Sequence, residues 1–75
     1  MERLGTVVRT ANRLAIARLP DDDYPRIGTE AVDERLDTVG RVVDVFGPVE
    51  RPYVAIKPDD DSDLPALLGT KVYAR

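Results

Sequence analysis

The sequence predicts a small all-β domain, a closed barrel of six short strands with one short helical turn near the C-terminus. Its 75 residues leave room for one domain with one modest core, because so short a chain buries only about 60% of its unfolded surface. The aromatic residues are three tyrosines and one phenylalanine, so valine, leucine, isoleucine and alanine must form the core. Strand-like segments alternate with short turns, and closure hides sheet edges. Residues 1–75 are therefore expected to form a single domain.

The first two strands are predicted to form a hairpin. Residues 4–9 carry β-branched side chains without helical spacing. Asn12 accepts the left-handed backbone conformation of a tight turn, and residues 14–19 form the predicted returning strand. Residues 20–25 contain two prolines and three consecutive aspartates, which a packed sheet does not accommodate. This segment is predicted to be a surface loop.

The middle of the chain contains the clearest strand. A short segment at residues 30–32 precedes a polar turn and then a strand at residues 39–46. Strict alternation places Val43 and Val45 on one face of that strand and Val42 and Phe46 on the other. Both faces would then carry apolar side chains, so we expect the strand to be covered on both sides.

The last two strands flank the helical turn. Residues 53–57 form the second arm of a hairpin with the preceding strand. Residues 63–69 fit one helical turn, with Asp63 as the N-cap, an early proline and Gly69 as the stop. Residues 70–73 form the predicted closing strand.

The available residue types argue against catalysis. Cysteine and histidine are both absent, which removes thiol nucleophiles, imidazole bases and the commonest ligands of zinc and iron. Ser62 is the only serine, and no histidine can activate it. The five glycines match no dinucleotide-binding or phosphate-binding loop. The sequence therefore predicts a protein that is not an enzyme and that uses neither cofactor nor metal.

Two aspartate runs are candidate cation sites by residue type. Residues 21–23 are consecutive carboxylates in a predicted loop, which is typical of solvated surface charge. Residues 59–63 contain the alternating aspartates that begin a calcium loop. However, Leu64 stands where such a loop needs glycine, and Thr70 stands where it needs the bidentate glutamate. Neither run is expected to bind a metal ion.

The charge balance bears on the kind of partner. The net charge is −3, whereas proteins that bind nucleic acid unaided usually carry a basic surplus. The arginine–aromatic neighbours Arg26 with Tyr24 and Arg51 with Tyr53 are a weak indication of RNA binding in an acidic chain. No apolar run could cross a membrane and no signal-peptide pattern is present, so a cytoplasmic protein is expected. The predominance of aspartate over lysine is compatible with a salt-adapted source.

One apolar hairpin remains as a candidate interaction site. Glycine and two prolines stiffen the turn that joins residues 45–49 to residues 52–54, so apolar side chains could be displayed there at a small ordering cost. The residue chemistry alone leaves two interpretations equally open. Phe46 and Tyr53 could face a partner, or they could fill one end of the barrel.

The sequence resembles a known family. Residues 40–49 read Gly-Arg-Val-Val-Asp-Val-Phe-Gly-Pro-Val, residues 52–56 read Pro-Tyr-Val-Ala-Ile, and residues 4–7 read Leu-Gly-Thr-Val. Together they resemble the archaeal glycine-arginine-rich protein of the box H/ACA RNA-guided pseudouridylation particle. The likeness extends over essentially the whole chain, and the Phe-Gly-Pro run followed by Pro-Tyr is its most specific part. Residues 1–75 contain no arginine-glycine-rich run of the kind that eukaryotic relatives carry in their tails, so the archaeal form is expected.

The resemblance implies a fold, a partner and a site. It implies a six-stranded barrel of the translation-factor type (reductase/isomerase/elongation factor), bound as a monomer to the catalytic domain of the particle's pseudouridine synthase. Such a subunit would be non-catalytic, would meet guide and substrate RNA only indirectly, and would help the synthase load and release RNA during rRNA pseudouridylation and ribosome biogenesis. The implied partner-binding residues are Val45, Phe46, Gly47, Pro48, Val49, Pro52, Tyr53 and Val54.

Two alternatives stay open. Residues 27–33 and 39–44 also resemble a PRC-barrel, a small β module of ribosome-maturation proteins. The Phe-Gly-Pro turn is not expected in that family and so discriminates against it. A barrel that binds RNA directly is the other alternative.

Overall fold

The structure is a computed structural model that describes residues 2–59 and 61–75. Its strands run in the spatial order β1-β2-β5-β4-β3-β6 and close into a barrel in which each neighbouring pair is antiparallel. The predicted all-β class, the six-stranded closed barrel and the short helical turn near the C-terminus are confirmed. The strands are β1 (Glu2–Ala11), β2 (Leu14–Arg18), β3 (Glu30–Val32), β4 (Thr38–Phe46), β5 (Tyr53–Pro58) and β6 (Lys71–Ala74), with a 3-10 helix at Asp61–Leu67 between β5 and β6.

Aliphatic side chains from all six strands fill the barrel. Inward-pointing residues alternate in β2 and β5, as the period of a β-strand requires, whereas in β1 and β4 register shifts place core residues three apart. Leu64 of the 3-10 helix joins the same cluster, so the helix covers part of the barrel interior. The largest side chains with essentially no exposed surface are Leu4, Leu19, Ile56, Val7, Val32, Val42, Val54 and Val72.

The β1–β2 turn confirms the role predicted for Asn12. Asn12 has a φ of 52° and Arg13 a φ of 64°, and Ala11 pairs with Leu14 across the turn. Two consecutive left-handed residues match the right-handed twist of the flanking strands. Asparagine tolerates this conformation well, whereas Arg13 gave no such indication in the sequence.

The helical segment differs from its predicted bounds. It spans Asp61–Leu67 rather than residues 63–69, and it contains Pro65. Seven residues of 3-10 helix exceed the single turn that was predicted. The capping role proposed for the Asp63 side chain lies outside what the structure describes, and so do Asp60 and the side chains of residues 61–63 in the second acidic run.

A β-bulge in β4 overturns one expectation. Val42 lies opposite Ile56 and Asp44 lies opposite Ala55, which leaves Val43 without a partner on β5. The extra residue shifts the alternation, so Val42 and Val45 both pack on the core. The predicted grouping of Val43 with Val45, and of Val42 with Phe46, is therefore wrong. Val43 is 40% exposed and Phe46 is 37% exposed, so the barrel covers only one face of this strand.

The bulge makes a stability prediction possible. Val42→Ala should lower the free energy of unfolding by about 2 kcal/mol, because two buried methyl groups are each worth about 0.8 kcal/mol and a cavity remains. Val43→Ala is the matched control one residue away and should cost less than about 0.5 kcal/mol. Urea unfolding followed by circular dichroism measures both values. Equal costs for the two variants would contradict the placement of Val42 in the core and of Val43 outside it.

Candidate docking site at the β4–β5 hairpin

The turn between β4 and β5 requires glycine at one position. Gly47 has a φ of 97°, and a Cβ added there would lie 2.8 Å from Cδ2 of the Tyr53 ring. Both the backbone conformation and the packing of that ring exclude a larger residue. The turn is closed by the Arg51 amide, which donates a hydrogen bond of 3.2 Å to the Pro48 carbonyl oxygen. The Gly-Pro pair therefore fixes the shape of the tip.

Two hydrogen bonds fasten this tip to the end of β2. The Leu19 amide donates to the Pro52 carbonyl oxygen over 3.0 Å, and the Arg51 Nε donates to the Leu19 carbonyl oxygen over 3.0 Å. Pro52 is buried and has a fixed φ. The hairpin tip is consequently preorganised, which reduces the entropy that a partner must overcome on binding.

The two aromatic rings of the hairpin lie outside the barrel. Phe46 pairs directly with Tyr53, and their rings stack with centroids 5.6 Å apart and an interplanar angle of 21°. Neither ring belongs to the core cluster, whereas the adjacent Val45 and Val54 pack into it. Phe46 and Tyr53 therefore do not fill the end of the barrel, and the alternative that they plug it is not supported.

The eight residues implied as partner-binding occupy three environments. Phe46, Gly47, Pro48 and Val49 are exposed, Val45 and Tyr53 are half-buried, and Pro52 and Val54 are buried. The exposed members can reach a partner directly. Buried Val54 can contribute only by holding the tip in place, whereas Pro52 holds the tip and also lines the groove beside it. That a partner binds at this hairpin stays a prediction.

Tyr24 completes the site. It is not among the partner-binding residues expected from the sequence. It lies in the loop between β2 and β3, is 65% exposed, and joins the hairpin tip around a shallow, mostly apolar groove of about 370 Å³. An exposed aromatic ring in an otherwise acidic, proline-bounded loop was the available indication. We call this the tip groove, and its lining residues are Tyr24, Val45, Phe46, Gly47, Pro48, Val49 and Pro52.

Comparison with known proteins identifies the family. A family model described as the Gar1/Naf1 RNA binding region matches residues 1–75, the whole chain. The chain belongs to this family. Gar1/Naf1 membership implies involvement in the H/ACA ribonucleoprotein particle, and the family consists of accessory RNA-binding proteins rather than known enzymes. It also decides between the two resemblances, in favour of the glycine-arginine-rich proteins and against the PRC-barrel. A search of curated proteins gave no match.

The outer face of this Gar1/Naf1 barrel also carries arginines around Tyr53. The Arg18 guanidinium carbon lies 5.3 Å from the centre of the Tyr53 ring, and that of Arg9 lies 5.9 Å from it. Both distances fit cation–π contacts. The arginines come from β2 and β1, so the arrangement depends on strand pairing that sequence neighbours could not indicate. The sequence indicated Tyr53 as an aromatic ring with an arginine neighbour, but it suggested Arg51 as that neighbour. In the structure the arginines over the ring are Arg9 and Arg18.

The first aspartate run is solvated, as predicted. Residues 21–23 are all exposed, and Asp21 Oδ1 accepts a hydrogen bond from the Asp23 amide over 2.9 Å. The pKa of the Glu2 carboxyl is raised, first by its hydrogen bond with Asp23 and then by repulsion from the Asp23 charge. Among residues 2–59 and 61–75, no three carboxylates are placed to hold a metal ion. Over the same ranges no helix is long and apolar enough to cross a membrane.

The raised pKa of Glu2 predicts a pH-dependent stability difference. A carboxyl whose pKa rises on folding holds its proton more tightly in the folded state, so the stability it contributes is present at low pH and is lost as pH rises through the raised pKa. Glu2→Gln should therefore raise the melting temperature at pH 7 and have little effect near pH 3. Glu34→Gln, on the exposed β3–β4 turn, is the control and should show no such gain. Thermal melts at both pH values measure the difference.

Proposed function

We propose that this chain is a non-catalytic subunit of the H/ACA particle that docks on the catalytic domain of the pseudouridine synthase through the tip groove. In that position it promotes the loading and release of substrate RNA. The observation that carries the proposal is an exposed apolar surface on a rigid hairpin tip. Membership of the Gar1/Naf1 family supports the assignment to the H/ACA particle. The resemblance in residues 40–56 suggests the synthase as the partner.

The exposure of the tip supports a protein partner. Val49 is 84% exposed and adjoins Phe46 and Tyr24 in one groove. Contiguous apolar surface of this kind on a soluble domain commonly marks a protein interface. Aromatic side chains that enter a partner's pocket supply much of the binding free energy in such interfaces. Phe46 is suited to this role because the Tyr53 ring stacks against its ring and supports it.

The tip groove is smaller than a whole interface. A stable complex buries about 800 Å² on each partner, more than one hairpin tip offers. The outer face of β4 extends the surface, since Val43 is exposed three residues before Phe46. The bulge at Val43 turns both side chains away from the core. We infer that the surface contacted by the partner includes the tip and extends along the outer face of β4.

The composition of the tip groove supports a role in turnover rather than in chemistry. Among the described residues, Tyr24 is the only titratable one that lines this groove, and none of them forms a nucleophile with an adjacent base there. A subunit without reacting groups can still raise the rate of an enzyme by accelerating a conformational or release step. The subunit would therefore affect steps before and after base modification.

Phe46→Glu tests the docking surface. The variant should remain folded, because Phe46 lies outside the core, and should bind the purified synthase at least about 30-fold more weakly, since interface hot spots cost about 2 kcal/mol or more. Leu36→Glu is the matched control, a half-exposed leucine on the turn at the opposite end of β4. Isothermal titration calorimetry measures both affinities. If wild type shows no binding at micromolar concentration, the proposal fails.

A kinetic measurement tests the effect on turnover. Particles assembled with wild-type chain should modify substrate RNA faster over many turnovers than particles lacking it, whereas the rate of a single turnover with prebound RNA should be nearly unchanged. Phe46→Glu should behave like omission of the chain, and a large excess of the variant should restore the rate. An equal effect on the single-turnover rate would argue for a role in the chemical step and against this proposal.

A further inference from the structure

One groove of the barrel concentrates positive charge in an acidic protein. Three arginines line it, Arg3 of β1, Arg18 of β2 and Arg51 of the loop between β4 and β5, and its volume is about 430 Å³. Among the residues that the structure describes, neither a carboxylate nor an aromatic ring lines this groove. We call it the arginine groove, and its remaining lining residues are Gly5, Thr6, Val8 and Pro20.

The arginines are held by groups that leave their charge uncompensated. The Arg51 Nε donates to the Leu19 carbonyl oxygen, and the Arg18 guanidinium lies over the Tyr53 ring. In residues 2–59 and 61–75, the one ion pair within 4.0 Å involves none of the arginines of the groove. Guanidinium groups that are positioned in this way favour binding of an external anion.

The acidic residues closest in sequence do not compensate these charges. Glu2 precedes Arg3, and the aspartates at residues 21–23 follow Pro20. The Glu2 carboxyl forms a side-chain hydrogen bond with Asp23, so these two carboxyls contact each other. Their exposed charges would repel a ligand that carries a negative charge at every position. They leave room for a ligand that presents only a few carboxylates to the groove.

Packing alone does not explain why an arginine stands at position 18. The Arg18 Nε is buried, and no described residue accepts a hydrogen bond from it. An unsatisfied buried donor is destabilising, whereas a leucine would cover the same part of the sheet without one. The guanidinium also carries two terminal nitrogens, and its fixed fork of donors matches the two oxygens of a carboxylate. Binding of an anion accounts for the arginine at this position.

A bulge in β1 places an apolar side chain among the arginines. Val7 pairs with Ala17 and Arg9 pairs with Ile16, which leaves Val8 without a partner on β2. Bulges of this kind re-aim a side chain, and Val8 is exposed in the groove. The proline that lines the groove is exposed as well. The arginine groove therefore offers apolar surface beside its positive charges.

We propose that the arginine groove binds an acidic segment of a partner protein in which aliphatic side chains adjoin the carboxylates. The three arginines bind the carboxylates, and Val8 and Pro20 contact an aliphatic side chain of the segment. The inference goes beyond docking through the tip groove and does not require it, because the two grooves share no lining residue.

Two observations favour a protein segment over RNA as the occupant of this groove. Sites for single-stranded nucleic acid combine a basic groove with aromatic rings on which bases stack, and no described aromatic residue lines the arginine groove. The nearby Tyr53 ring already contacts Phe46 and two guanidinium groups, so it is not free to stack on a base. An exposed valine among the arginines suits an aliphatic side chain better than a phosphodiester backbone.

The test uses the whole chain and a short fluorescein-labelled peptide composed of glutamate, leucine and glycine. Fluorescence anisotropy at low salt should show binding that weakens as salt rises, because salt screens exposed charges. The same peptide with glutamine in place of glutamate should bind at least about tenfold more weakly, since charge-assisted hydrogen bonds are the stronger ones. Glycine in place of leucine should lower the affinity about threefold through the loss of apolar contact.

Matched variants locate the peptide on the barrel. Arg3→Gln combined with Arg18→Gln should weaken binding at least about tenfold, whereas Arg35→Gln, a charge change on the exposed β3–β4 turn, should leave it nearly unchanged. Arg18→Lys keeps the charge but not the fork, so its loss should be intermediate, and it replaces Arg18→Gln if that variant does not fold. Val8→Ala should lower the affinity about threefold for the leucine peptide and should not change it for the peptide without leucine.

Two further measurements separate this inference from the docking proposal. The double variant should still bind the synthase, because Arg51 is left intact to hold the tip, and Phe46→Glu should still bind the peptide. In the ¹⁵N–¹H spectrum, the peptide should shift the amides of Thr6 and Arg18 and leave that of Val49 in place.

Four outcomes would overturn the inference. The first is no binding of the peptide at low salt. The second is an equal loss of affinity in Arg35→Gln and in the double variant, which would show that binding follows net charge alone. The third is displacement of the peptide by a uridine decamer at a lower concentration than by unlabelled peptide, which would assign the groove to RNA. The fourth is self-association of the chain that the double variant abolishes, which would assign the groove to the aspartates of a second copy.

Discussion

Close approach of neighbouring strands at two glycines makes so small a barrel possible. A Cβ on Gly40 would lie 2.1 Å from the Lys57 carbonyl oxygen, and one on Gly5 would lie 1.9 Å from that of Arg18. Any side chain at either position would push the adjoining strand away. Six strands of three to ten residues can close only if they bend sharply over one another, and glycine permits that bend. The interior and the hairpin tip both depend on this closure.

Closure of the barrel also separates the outward-facing side chains from the core. The barrel interior takes up valine, leucine, isoleucine and alanine, so the stacked Phe46 and Tyr53 rings remain outside. The same β5 strand carries Val54 inward and Tyr53 outward. The proposed docking site therefore consists largely of side chains whose loss would leave the core packed. This is the physical reason that we expect Phe46 to tolerate substitution without unfolding of the domain.

Local chemistry in the sequence predicted most of the fold. Proline, glycine and Asn12 marked the turns, and β-branched runs marked the strands. The register of β4 could not be predicted, because a bulge depends on how β4 fits against β5 and the sequence contains no mark for an extra residue at Val43. The Phe-Gly-Pro run indicated the hairpin as a candidate site, and partner binding there stays a prediction. Tyr24 and Arg9 were missed because they reach the site through tertiary placement and strand pairing, which sequence spacing does not reveal.

The bulge at Val43 has a consequence for how the chain can vary. It divides β4 into a part before the bulge and a part after it. In the second part, the alternation of inward and outward side chains is offset by one residue from that in the first. Deleting that residue would restore a regular ladder in which Asp44, Val45 and Phe46 keep their present partners and faces. A deletion elsewhere in the second part would instead exchange the inward and outward side chains up to the turn. The bulge therefore adds one exposed apolar side chain, that of Val43, to the outer surface without altering which residues of β4 pack on the core.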